Sequence, residues 1–348
     1  MNGMNDIPVI DGHCDTVLKS LERTDTLQKA SNEGHVDAPR IKAGKLSALF
    51  FACWVHPEKE TDGYAAETYQ LLDELHRICQ DEASPFQIAT SGKAVREQHK
   101  NECISVIPCV EGGHAIENNL RHLRNFHRLG ARYMTLTWMN NNEWADASGE
   151  APEHNGLTDR GLRVIQEMNR IGMIVDVSHT APSTLSDAIR ASEDPVIASH
   201  SCCRAICDHH RNLTDDQLHM IADVNGVVGI CFYPGFLDME YRRALDRYQE
   251  ESDGDDWMGE LSEDRRPEVG LEKLLAHIEH AVDVAGVDHV GLGSDFDGIQ
   301  VLPNGMDDCS DYPIIAEGLR ERGFSEKEIA KVMGQNFLRV MDEVCRST

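Results

Sequence analysis

Basic residues are scarce. The chain of 348 residues has 33 lysines and arginines against 60 aspartates and glutamates, a formal charge of −27. That balance excludes wholesale binding to a nucleic-acid backbone, which needs a basic surface. It also argues against an anionic membrane surface as partner. No Cys-x-x-Cys pair occurs among the 11 cysteines, and Cys202, Cys203 and Cys207 do not make a zinc-knuckle pattern. Scattered, odd-numbered cysteines in a long chain predict reduced thiols and a cytoplasmic protein. No apolar run approaches the roughly 18 residues that span a bilayer. Met1–Pro8 is polar and shows no secretory leader, and Met341–Thr348 is too polar for a lipid-anchor signal. Neither a linker nor an internal repeat divides the sequence, so residues 1–348 are expected to form one domain.

At 41% hydrophobic residues, the chain has enough apolar material for a substantial core. Short apolar runs predict strands at Ile7–Asp11, Leu46–Val55, Cys103–Val110, Arg132–Thr137, Met173–Val177, Val196–Ser199, Val227–Tyr233 and His289–Gly293. Several are continuous rather than alternating, which suits strands buried on both faces of a parallel sheet. Helical periodicity lies between them, at Tyr64–Cys79, Asn119–Leu129, Asp159–Arg170, Ser183–Arg190, Asp215–Ala222 and Leu271–Ala285. Thr158 and Thr214 offer N-caps; Gly130, Gly172 and Gly286 offer stops. Eight strands alternating with helices predict an α/β fold, a (β/α)₈ TIM barrel. No glycine-rich phosphate loop follows the first strand to favour a dinucleotide-binding sheet. One acidic insertion, Asp238–Glu268, follows the seventh predicted strand with 12 acidic and 5 basic residues. It is read as a solvated loop, with a helical lid over the barrel mouth as the sharper alternative.

The polar residues cluster just beyond the strands. The first strand runs into Asp11-Gly12-His13-Cys14-Asp15 and the third into Glu111-Gly112-Gly113-His114. The fifth ends in Asp176-Val177-Ser178-His179, the sixth in Ser199-His200-Ser201 and the eighth in Gly293-Ser294-Asp295-Phe296-Asp297-Gly298. In a barrel these ends converge on one pocket. Residues i and i+2 of a strand point the same way, so His13 and Asp15 are candidates to grip one cation. His179 and His200 are candidates for a second, with Glu111 as a bridging carboxylate. Imidazole with carboxylate suits Zn²⁺, and Mn²⁺ or Co²⁺ by the same chemistry. Such a site activates water and polarises a carbonyl. Asp295 would then be the free carboxylate that moves a proton. Arg211 offers a planar fork for a substrate carboxylate. His76, His122, His127, His219, His277 and His280 are read as surface or partly buried residues. Ser178 and Ser201 lie in no nucleophile-elbow motif.

These segments, with Arg132-Tyr133-Met134-Thr135-Leu136-Thr137, Arg211-Asn212 and Asn336-Phe337-Leu338-Arg339-Val340, resemble the membrane (renal) dipeptidase family, zinc peptidases of family M19, nearly end to end. The resemblance implies a dinuclear zinc site, two ions per subunit, in a (β/α)₈ barrel of the metallo-dependent hydrolase type. It implies His13 and Asp15 on the first zinc, Glu111 bridging, and His179 and His200 on the second. It assigns Arg211 to the substrate's terminal carboxylate and Asp295 to the proton that passes from water to the leaving amine. A hydroxide bridging the metals is the expected nucleophile, the substrate an L,L- or L,D-dipeptide, and a homodimer is common among relatives. One position departs: Trp138 stands where animal members place a histidine that contacts the substrate carbonyl. Tryptophan can only donate, so Asn140 or Asn141 is a candidate to help the oxyanion, and packing at the pocket rim is the plainer role for Trp138. The departure motivates an alternative substrate class, an N-acyl amino acid or modified amide. A non-catalytic metal-binding scaffold would predict a damaged ligand set, and the set is intact.

Overall fold

The computed structural model describes residues 7–22, 27–31, 33–57, 63–80, 84–251 and 261–345. Nine strands form one sheet: β1 (Val9–Cys14), β2 (Leu46–Trp54), β3 (Phe86–Ile88), β4 (Ile104–Glu111), β5 (Tyr133–Thr135), β6 (Ile174–Asp176), β7 (Val196–Ser201), β8 (Val227–Ile230) and β9 (Val290–Leu292). Their order is β1-β2-β4-β5-β6-β7-β8-β9, every pairing is parallel, and β3 lies off this path against β4. The eight predicted strands are all present. β3 was not foreseen.

The path nearly closes into a barrel. At the seam, Cys14 bridges Phe296, the Asp15 amide donates to the Phe296 carbonyl (2.8 Å), and the Asp295 amide donates to the His13 carbonyl (3.0 Å). Asp11 fastens the same seam lower down. Its buried carboxylate accepts from the Ser294 hydroxyl, from the Ser294 amide (2.9 Å) and from the His13 amide (3.2 Å). Two strands 283 residues apart are thus held by one carboxylate.

Helices cover the outside of the barrel. Predicted helices appear at Tyr64–Gln80, Leu120–Arg128, Asp159–Ile171, Pro182–Ala191, Asp215–Asp223 and Leu271–Ala285. Thr158 and Thr214 cap theirs as expected, and Gly172 ends its helix at φ 76°. The C-terminal helix, Asn336–Val344, closes the barrel floor. Phe337 enters between strands: a Cβ on Gly12 would lie 2.5 Å from its ring, and one on Gly291 also 2.5 Å. Glycine is required at both positions because the ring occupies the side-chain space. Asn336 ties this helix to β9 by donating to the carbonyls of Val287 (2.8 Å) and Val290 (2.7 Å).

The acidic insertion corrects the loop reading. Met239–Glu251 is an α-helix that buries Tyr241, Ala244 and Leu245. The i, i+3, i+4 spacing of those residues gives it an apolar stripe to dock. Most of the acidic run lies in 252–260, outside the described residues. His277 is a second correction: it is fully buried, not at the surface.

Candidate metal centre

The barrel brings the strand-end residues together. His13 sits on β1 with Asp15 just beyond it, Glu111 is the last residue of β4, and His200 lies on β7. His179 and Asp295 follow β6 and β9 in left-handed backbone conformations, φ 67° and 66°. That conformation costs a non-glycine residue energy, and here it turns both side chains inward.

Glu111 divides its two oxygens. Oε2 lies 3.6 Å from His13 Nε2, while Oε1 lies 3.0 Å from His179 Nε2 and 3.6 Å from His200 Nε2. His13 Nε2 is also 3.4 Å from Asp15 and 3.9 Å from Asp295. Ligand atoms of His13, Glu111 and His200 all lie within 4.8 Å of one another, as do those of His13, Asp15 and Asp295. Asp295 therefore stands closer to the first ligand group than a purely separate proton carrier would.

Hydrogen bonds behind the histidines aim their Nε2 atoms at the pocket. His13 Nδ1 is 2.7 Å from the Tyr133 hydroxyl, which itself donates to the Gly12 carbonyl (3.2 Å). The hydroxyl proton is committed to that carbonyl, so His13 Nδ1–H donates and Nε2 carries a lone pair. Among the described residues His13 Nε2 finds no hydrogen-bond partner. His179 and His200 place their Nε2 atoms 2.8 Å apart, a repulsive arrangement for two lone pairs unless a cation lies between or beside them. Burial, then the Arg211 charge, pushes His179 down to about 3, and burial with the nearby His13 lowers His200. Both are neutral, the form that ligates metal.

The carboxylates complete the donor set. Burial alone would raise Glu111, but the neighbouring His13 and His179 imidazoles hold it well below the usual carboxylate range. Burial raises Asp15 and Asp295. Two buried carboxylates and a third, partly buried one around one imidazole make a concentration of negative charge that is costly without a partner. A dication offsets that cost, and the mixed imidazole–carboxylate set fits zinc. Gly298 shapes the cradle: a Cβ there would lie 2.3 Å from Asp15 Oδ2 and 2.6 Å from Asp295 Oδ1.

Around this centre, Arg211 is 3% exposed. It donates to the His200 carbonyl (3.1 Å) and the Ser201 hydroxyl (3.4 Å), and lies 5.3 Å from the Phe236 ring centre. Its Nε has no hydrogen-bond partner among the described residues. Cys231, just past β8, places its thiol 3.8 Å from Asp295 Oδ2. Trp138 joins an aromatic wall, with ring centres 4.9 Å from Trp54, 5.7 Å from His56 and 6.3 Å from His179. Asn140 turns its amide toward the Asn141 carbonyl (2.9 Å), leaving a buried Oδ1 without a hydrogen-bond partner. Tyr133, Ser199 and Asp176 support the histidines without having been assigned a role from sequence. Ser199 adjoins His200 in the sequence, whereas Tyr133 reaches His13 across 120 residues and Asp176 reaches Ser199 through strand pairing, so neither carried a local signal.

A family model described as membrane dipeptidase, peptidase family M19, matches residues 2–347. The dipeptidase verJ of Clonostachys rogersoniana is 33% identical over 355 residues, covering 97% of this chain and 84% of that protein. The dipeptidase tcpJ of Claviceps purpurea is 35% identical over 321 residues, covering 89% and 69%. Among solved structures, a metallopeptidase of Rhodobacter sphaeroides, liganded with a phosphinate mimic of the dipeptide L-Ala-D-Ala, superposes with a TM-score of 0.83 at 29% identity, covering 97% of this chain and 99% of that one.

Proposed function

This chain belongs to the membrane dipeptidase family, peptidase family M19, and from that premise we propose how its own residues divide the work of a metal-dependent dipeptidase. His13 and Asp15 hold one zinc ion, His179 and His200 a second, and Glu111 spans them. The observation that carries this reading is the split of Glu111, one oxygen toward His13 and the other toward the His179–His200 pair. Zinc bound there supplies a Lewis acid for the scissile carbonyl and lowers the pKa of water.

Asp295 takes a proton from the attacking water at its carboxylate and gives it to the nitrogen of the departing residue as the C–N bond breaks. Burial raises its proton affinity, which suits a group that must hold a proton in transit. Arg211 receives the substrate's terminal carboxylate. It is already buried and anchored by its Nη atoms, so little side-chain freedom is lost on binding. Trp138, packed on Trp54 and His56, walls the pocket beside His179 and excludes water. Asn140 sits in the loop that follows Trp138, and its unpartnered Oδ1 makes it a candidate substrate contact.

The substrates are short dipeptides. The bacterial relative's L-Ala-D-Ala mimic supports an L,D-dipeptide among them. No helix among the described residues is long and apolar enough to cross a membrane. The eleven free thiols, nine of them buried, support a reducing compartment. The test is a screen of L,L- and L,D-dipeptides beside N-acyl amino acids, with bound zinc counted in the same preparation. Dipeptide turnover with two zinc ions per chain, abolished by chelation and restored by zinc, is expected. Full turnover in a metal-free preparation, or turnover of N-acyl amino acids alone, refutes the assignment.

A further inference from the structure

We infer that Ser199 is a positioning residue, relaying the Asp176 carboxylate to His200 and thereby fixing the tautomer of that ligand. The inference rests on the reading that His200 holds a metal ion.

Asp176 ends β6 and is fully buried. Its Oδ1 accepts from the amides of Ser178 (3.1 Å) and Ser199 (2.9 Å). Its Oδ2 accepts from the hydroxyls of Thr135 (2.6 Å) and Ser199 (2.7 Å). The Ser199 hydroxyl in turn lies 2.8 Å from His200 Nδ1. A carboxylate can only accept. If Ser199 gave its proton to His200, two oxygens without a proton between them would face each other at 2.7 Å inside the protein. The other acceptor near Ser199, the Ser178 hydroxyl, is 3.4 Å away. The Ser199 proton therefore points to Asp176, and the Ser199 oxygen accepts from His200 Nδ1–H. Nε2 is left with its lone pair, 3.6 Å from Glu111 Oε1 and facing the centre.

The three histidines are supported unequally. His200 leans through one hydroxyl on a full negative charge. His13 leans on a neutral phenol that ends at a carbonyl. His179 Nδ1 is buried with no partner among the described residues. A carboxylate behind an imidazole raises its basicity as a ligand and holds the ring at one angle. Sequence neighbours do not announce this relay, because Asp176 and Ser199 meet only through the register that pairs Asp176 with Ile197.

Two measurements test it. Zinc affinities come from competition with a chromophoric chelator, for the wild type, Ser199→Ala, Thr135→Val and His200→Ala. Removing the relay is expected to weaken one ion by about 10–100-fold and leave the other unchanged. Thr135→Val strips a hydroxyl from the same carboxylate without touching His200, and it is expected to keep both affinities. Equal losses in Ser199→Ala and Thr135→Val, or no loss in Ser199→Ala while His200→Ala loses an ion, overturn the relay alone. Full affinity in His200→Ala overturns the ligand assignment and the relay with it. The second measurement needs no variant to fold: histidine ¹⁵N resonances of the zinc-loaded wild type are expected to show a proton on His200 Nδ1, and an unprotonated Nδ1 overturns the inference.

Discussion

His277 lies on the buried face of the helix Leu271–Ala285 and is fully buried. Its Nδ1 accepts from the Cys203 amide (3.0 Å) and its Nε2 donates to the Leu237 carbonyl (3.0 Å). The Cys203 contact requires the neutral ring, since a protonated Nδ1 has nothing to accept with. Burial pushes the imidazole from 6.5 down to about 4. A histidine whose folded pKa is depressed binds its proton first in the unfolded chain. Stability from this group is therefore full above about pH 6.5, and is lost as the pH falls toward 4. The interval of 2.5 units is worth about 3 kcal/mol at 1.36 kcal/mol per unit. His277→Gln removes the titration. Its amide still reaches toward Leu237, but the Cys203 N–H loses its acceptor, costing about 1–3 kcal/mol at neutral pH. Urea unfolding of both proteins between pH 7.5 and 4 reads the difference. Other depressed histidines, such as His127 and His210 at about 4, titrate in both and cancel. The two stability curves are expected to converge on acidification by about 3 kcal/mol in total. Parallel curves would refute the reasoning.

Phe337→Ala removes the ring that fills the barrel floor; a loss of about 3–5 kcal/mol is expected, read by calorimetric unfolding. Gly298→Ala places a methyl against Asp15 and Asp295 and should empty the centre, visible as lost zinc by elemental analysis while circular dichroism stays near wild type. Arg211→Lys keeps the charge but loses the fork. KM for dipeptides should rise by about 10–100-fold, in proportion to the roughly 1.5–3 kcal/mol of a charged hydrogen bond, with kcat less affected; an unchanged KM would remove Arg211 from carboxylate binding.

Buried parallel strands are legible as continuous apolar runs, and Leu46–Trp54 was found within one residue of its predicted end. The helix Leu271–Ala285 was found to the residue. β3 escaped because three residues, Phe86–Ile88, carry too little periodicity to separate from a loop. Met239–Glu251 escaped because its many charges hide a narrow stripe, Tyr241, Ala244 and Leu245. His277 was misplaced for a related reason. Its neighbours Leu274, Ile278 and Ala281 already mark the buried face, but a histidine among glutamates invites a surface reading. The clustering of histidines and carboxylates was legible because chemistry-bearing residues sat at the ends of predicted strands. What lay behind them was not, since Tyr133 meets His13 across 120 residues and Ser199 meets Asp176 through strand register.

The seam between β1 and β9 sets a timetable for the centre. A chain made from its N-terminus emerges with His13 and Asp15 first, long before Asp295 and the Ser294 that fastens Asp11. The floor is completed later still, by Phe337. Contacts of such separation form only after the intervening loop has been ordered. A nascent chain therefore carries the first of the clustered side chains while the pocket does not yet exist. Any selection among cations at this cluster belongs to the finished barrel, and a ribosome stalled before residue 294 would hold loose histidines and carboxylates with no cradle around them.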